Sequence, residues 1–139
     1  MASGIFLPAL RAGAIGNIDY DTDTFKVMLV TSSYTPDFDA HDFRNDVTNE
    51  VSGTGYTAGG ATVTITVNSV DTANNRLDIT LGGTTWSTST ITARGAVYYK
   101  SRGGASSADE IIAYNDFGSD VSTTAGTFTL SASTLRFAL

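Results

Sequence analysis

Apolar and polar residues alternate with a period of two through most of this chain. In Ala61-Thr-Val-Thr-Ile-Thr-Val67, the residues Val63, Ile65 and Val67 fall on one face and Thr62, Thr64 and Thr66 on the other. That pattern predicts a strand with one buried and one wet face. The alternation returns in Arg76-Leu-Asp-Ile-Thr-Leu81, with Leu77, Ile79 and Leu81 facing inward. Between the two runs, Asp71-Thr-Ala-Asn-Asn75 supplies residues that tolerate a left-handed turn, so strand, turn and strand predict a hairpin.

Further strands are predicted where apolar runs are bounded by Gly, Ser, Asn or Asp. Residues 24–30 are apolar on both faces apart from Lys26, which predicts a central or covered strand. Residues 91–100 carry Gly95 in mid-run, the mark of a bulge or of a close backbone approach. Residues 110–114, 126–130 and 135–139 complete the set, the last alternating to its final residue. Trp86, in Thr84-Thr-Trp-Ser87, suits either a short strand or a loop. Phe38, Phe43 and Val47 have helix-compatible spacing, so residues 36–47 predict one short helix or an irregular loop. The expected fold is an all-β antiparallel sandwich or jelly roll of about seven or eight strands, with at most one short helix. Residues 1–139 form one domain, in which residues 1–14 are a candidate N-terminal arm.

Composition narrows the class. The 139 residues are 41% hydrophobic and 16% charged, against a usual charged share of about 25%. The polar work passes to 22 Thr and 14 Ser, while Glu and Lys number two each. Thr favours strands, so a helical bundle or coiled coil is excluded, and the apolar share is enough for a core. A net charge of −6, with eight scattered Lys and Arg, argues against nucleic-acid and anionic membrane partners. No apolar run approaches the length of a membrane-spanning helix. The opening stretch lacks a basic n-region and is broken by Pro8 and Arg11, so it is expected to be part of the mature protein.

Candidate chemistry is sparse. Zero Cys removes disulfides, thiolate metal sites and cysteine nucleophiles. Asp19, Asp21 and Asp23 suggest a calcium loop, but the sixth and twelfth positions are Thr24 and Val30 rather than Gly and Glu. A turn that caps the following strand is the better expectation. Asp37, Asp39, Asp42 and Asp46 surround His41, the only histidine, without a second nitrogen or sulfur ligand. No Gly-x-Ser-x-Gly elbow accompanies that histidine, and the Gly-rich stretch 53–60 lacks a phosphate-loop ending. Glu50 and Glu110 stand in no recognisable catalytic context. Tyr34, Tyr56, Tyr98, Tyr99, Tyr114 and Trp86 suit core packing better than a sugar-stacking platform. No catalytic residue, metal site or cofactor is therefore expected. The apolar Ile5-Phe-Leu-Pro-Ala-Leu10 must be covered by its own domain or by a neighbour, which makes Ile5, Phe6, Leu7 and Leu10 the candidate interface residues.

The stretch Asp19-Tyr-Asp-Thr-Asp-Thr-Phe-Lys-Val-Met-Leu-Val-Thr-Ser-Ser-Tyr-Thr-Pro-Asp-Phe-Asp-Ala-His-Asp-Phe-Arg-Asn-Asp-Val47, with Glu50-Val-Ser-Gly-Thr-Gly-Tyr-Thr-Ala-Gly-Gly60, resembles small virion proteins of tailed bacteriophages. Within that group it is similar to the capsid cement, or decoration, proteins. The likeness covers residues 15–67 well and the remainder only in its Thr-rich strands. It implies a β-sandwich or jelly roll without enzymatic activity, bound to the major capsid protein on the outer surface of the head. It also implies synthesis in the bacterial cytoplasm and self-association, a homodimer being favoured over a trimer. It carries no functional residues over to this chain. Two other readings stand beside it: a tail, fibre or receptor-binding component of the virion, and a glycan-active enzyme or carbohydrate-binding module.

Overall fold

The strand at residues 24–30 does become central, and the reason lies in its two neighbours. The computed structural model describes residues 2–139. Among them are ten strands and one α-helix. The strands are β1 (Gly4–Ile5), β2 (Phe25–Val30), β3 (Ala61–Val63), β4 (Ile65–Val67), β5 (Arg76–Leu81), β6 (Thr84–Ser89), β7 (Thr92–Lys100), β8 (Ile111–Ser122), β9 (Gly126–Leu130) and β10 (Ser133–Ala138). A five-stranded sheet runs β1-β8-β7-β2-β3, a three-stranded sheet β10-β5-β4, and β6 pairs with β9. Every pairing is antiparallel. The fold is an all-β sandwich, as expected, with more strands than the apolar runs suggest.

Both faces of the five-stranded sheet are covered, which is why β2 and β7 lack a polar face. On β7, Tyr98 reaches Ser133 of β10 on one side, while the Tyr99 hydroxyl donates to the carbonyl of Gly59 on the other. Both rings are almost wholly buried, and Arg44 lies 5.1 Å over the centre of the Tyr99 ring. Trp86 belongs to β6 and packs between Tyr56 and Phe128. The six aromatic residues weighed as a sugar platform are thus core or partly buried rather than displayed.

Two expectations are corrected, and the choice left open at 36–47 is decided. The run 61–67 is two strands: β3 pairs with β2 in one sheet, and β4 pairs with β5 in another. The break falls at Thr64, whose carbonyl accepts the Gly82 N–H at 2.7 Å instead of continuing a ladder. Val63 is therefore buried, Ile65 partly so, and Val67 38% exposed rather than inward. The hairpin across Asp71 to Arg76 forms as expected, with Asn75 at φ 51°.

Of the two alternatives for residues 36–47 the irregular loop is found: turns ending in a short 3-10 segment, Arg44–Asp46. Acidic side chains take the backbone donors that a helix would use: Asp37 accepts from Asp39 and Ala40, and Asp46 accepts from Asp42 and Phe43. Tertiary pairing takes another, since the Arg44 N–H donates to the Asp109 carbonyl at 2.8 Å.

The helix lies instead at the N-terminus, as α1 (Leu7–Ala14), with Pro8 in its first turn, where no backbone N–H is missed. Residues 2–14 pack on their own domain. β1 adds to the edge of β8, the Phe6 N–H donates to Ile112, and the Phe6 ring is fully buried 5.2 Å from that of Phe38. Two smaller differences concern length: β8 runs on past Tyr114 to Ser122, and the last strand begins at Ser133 and stops one residue short of Leu139.

Candidate interaction surface

Packing sorts the four candidate interface residues by position. Ile5 is half-buried in a narrow cleft between β1 and β10, and Phe6 belongs to the core. Leu7 and Leu10 point outward from α1, 55% and 40% exposed. The helix turns its small residues, Ala9 and Ala12, to the protein and its bulky ones to the outside. That reverses the usual arrangement of a surface helix, whose apolar stripe faces the core. Small inward residues let the helix lie close to the domain while Leu7, Leu10 and Ile15 stay uncovered.

Beside this face lies an open groove of about 510 Å³. Leu10, Gly13 and Ala14 of α1 form one wall, and Val67, Leu77 and Phe137 of the three-stranded sheet form the other. Ile18, Tyr20 and Asp21 close one end. Leu77 and Phe137 continue into a second hollow of about 330 Å³ beside Val70 and Leu139. Together they make one apolar tract along the α1 side of the molecule. Val67, Val70 and Ile15 were missed as surface residues, because their exposure follows from the break at Thr64 and the placement of α1. The Arg11 guanidinium on the helix has no hydrogen bond or ion pair with any described residue, and neither does the carboxylate of Asp21.

The acidic clusters are built into turns. The Asp23 carboxylate accepts from the Asp19 N–H at 2.8 Å and pairs with Lys100 at 2.8 Å, while Asp19 accepts from the Asp21 N–H. This is the capping turn expected ahead of β2. Hydrogen bonds from Thr22 and from backbone N–H groups hold the Asp19 carboxyl below its ordinary range. Around His41, the Asp37 N–H and the Tyr34 hydroxyl both approach Nδ1, at 3.3 and 3.0 Å. A backbone N–H can only donate, so Nδ1 is the acceptor in the contact with Asp37.

Asp42 and Asp46 share one small site. Burial, followed by the neighbouring Asp46 carboxyl, raises Asp42. For Asp46 burial is outweighed by the N–H groups of Asp42 and Phe43, and its carboxyl is lowered. Glu50 accepts from the Tyr56 hydroxyl and the Gly59 N–H, each at 2.7 Å, and Glu110 is held by Arg102 at 2.6 Å. Among the described residues, no three of His, Cys, Asp and Glu are grouped to hold a metal ion.

No known protein family, curated protein or solved structure matches this chain.

Proposed function

We propose that this protein is a non-enzymatic structural component of a tailed-bacteriophage virion. It binds the outer surface of the capsid shell and clamps neighbouring major capsid subunits, so that the DNA-filled head resists internal pressure. The observation that carries the capsid reading is the resemblance of residues 15–67 to decoration proteins. The uncovered apolar tract along α1 supports the broader part, that the molecule works by binding other protein surfaces.

Such a role needs a rigid frame and adhesive faces. Each contact has a standard size of roughly 800 Å² per partner. Bridging two shell subunits makes the second contact effectively intramolecular and so lengthens residence greatly. The protein is made in the bacterial cytoplasm, acts on the head exterior and associates with itself, as a dimer in preference to a trimer.

Co-sedimentation with mature capsids lacking the protein tests this. Saturation at a fixed multiple of the capsid subunit number is the expected result, with heads that survive heating better when loaded. A few copies per virion, and no binding to the shell, would overturn it in favour of a tail or fibre component.

A further inference from the structure

We propose that the groove between α1 and the three-stranded sheet is the seat of a second copy of this chain, with Arg11 of each copy paired to Asp21 of the other. This takes up the self-association in the proposed function but does not depend on the capsid.

Exposed apolar area is the first ground. Leu7, Leu10 and Ile15 stand 55%, 40% and 53% exposed along one helix side, and Val67 and Val70 are 38% and 70% exposed nearby. Contiguous apolar surface of this kind marks a protein contact. It also sits over a helix whose buried residues are Ala9 and Ala12, so the bulky side chains keep much of their surface open to a partner.

Charge decides the occupant. Arg11 lies on the exposed helix side, four residues from both Leu7 and Ile15. The other five arginines are all paired with a carboxylate: Arg44 with Asp109, Arg76 with Asp71, Arg94 with Asp116, Arg102 with Glu110 and Arg136 with Asp78. Only Arg11 lacks one among the described residues. At one end of the groove Asp21 is exposed, and its carboxylate has no partner among the described residues.

One free charge of each sign therefore stands by the tract, Arg11 on the exposed helix side and Asp21 in the groove lining. Asp19, in the same lining, is already held by hydrogen bonds in its own turn. A two-fold contact places residue i of one copy on residue j of the other and the reverse, so a single rotation forms both Arg11–Asp21 pairs. Both free charges are then paired, although each chain carries −6. An anionic surface would meet Asp21, and a purely apolar one would leave both charges buried without partners, at a cost.

The test is sedimentation equilibrium of the isolated protein over a wide range of concentration. The expected species is a dimer. Arg11→Glu or Asp21→Arg alone should weaken it by about tenfold or more, since each turns an attractive contact into a like-charge one. The double exchange Arg11→Asp with Asp21→Arg should restore it. Leu10→Glu should give monomers. All three side chains are exposed, and unchanged far-ultraviolet circular dichroism will show that the variants fold.

A monomeric or trimeric parent protein, a dimer indifferent to Leu10→Glu, or a double exchange that fails to rescue would overturn the inference. A monomer that still saturates capsids would sink this dimer and leave the capsid reading standing. A charge-sensitive dimer that ignores capsids would do the reverse.

Discussion

Arg44 and Asp109 lie 65 positions apart and meet at 2.9 Å, the guanidinium Nε donating to Oδ2. Around them the backbones are also joined. Arg44 donates its N–H to the Asp109 carbonyl, and Ile111 donates to the Asp42 carbonyl. The pair thus fastens the turn-rich segment 36–47 to the start of β8 and sets Arg44 over the Tyr99 ring.

The two partners are unequally wet: the Arg44 side chain is 23% exposed and that of Asp109 only 2%. Arg44→Ala strands a buried carboxylate, whereas a change at Asp109 leaves a guanidinium that water can reach. We expect Arg44→Ala to destabilise by about 3 kcal/mol and Asp109→Asn by clearly less, since asparagine can still accept the Arg102 N–H. Urea unfolding of both variants checks the order. Equal costs would show that burial of Asp109 is not what matters.

Gly95 lies under the Tyr114 ring, where an added Cβ would stand 2.6 Å from the Tyr114 hydroxyl oxygen, far inside contact distance. It also marks the register shift between β7 and β8. Gly95→Ala is expected to cost about 1–3 kcal/mol through overpacking. In a Tyr114→Ala background the same change should cost little, because the obstructing ring is gone. Calorimetry on the four-protein cycle measures the coupling, and simple additivity would refute the clash.

All six tyrosines have phenols raised above their ordinary value of 10.0, and burial is the leading cause in each case. Tyr20 and Tyr99 are pushed up to about 12. An unfolded chain loses these protons above pH 10 while the native chain keeps them. Stability is therefore intact below pH 10 and falls as pH rises toward 12. Tyrosinate absorbance should stay low at pH 10 and then rise together with loss of the native circular dichroism signal. Independent titration near pH 10 with the fold intact would contradict the burial.

The N-terminal residues separate core from surface within one step of the chain. Phe6→Ala removes a fully buried ring and should cost about 3–5 kcal/mol. Leu7→Ala acts on a side chain 55% exposed and should change stability of the single copy by no more than about 0.5 kcal/mol. Thermal unfolding at a concentration too low for association compares them directly.

Local pattern was enough to specify the all-β class, the hairpin from β4 to β5, the covered strand β2 and the close approach at Gly95. Each rests on neighbours within a few positions: period-two alternation, turn-tolerant Asn residues and a glycine in mid-strand. Of the two alternatives left open for 36–47, short helix or irregular loop, the loop forms because Asp37 and Asp46 claim the local backbone donors and Asp109 claims Arg44 from far along the chain. The split at Thr64 was likewise invisible, since alternation continues unbroken while Gly82 draws the strand into a second sheet.

The surface was the least legible part. Ile5, Phe6, Leu7 and Leu10 look alike as apolar letters, and only the docking of β1 and α1 makes Phe6 core and Leu7 exposed. Sequence by itself determined which faces the strands have, because alternation is a property of neighbouring residues. Tertiary structure decided which of those faces remain uncovered, because burial depends on contacts between segments far apart in the chain.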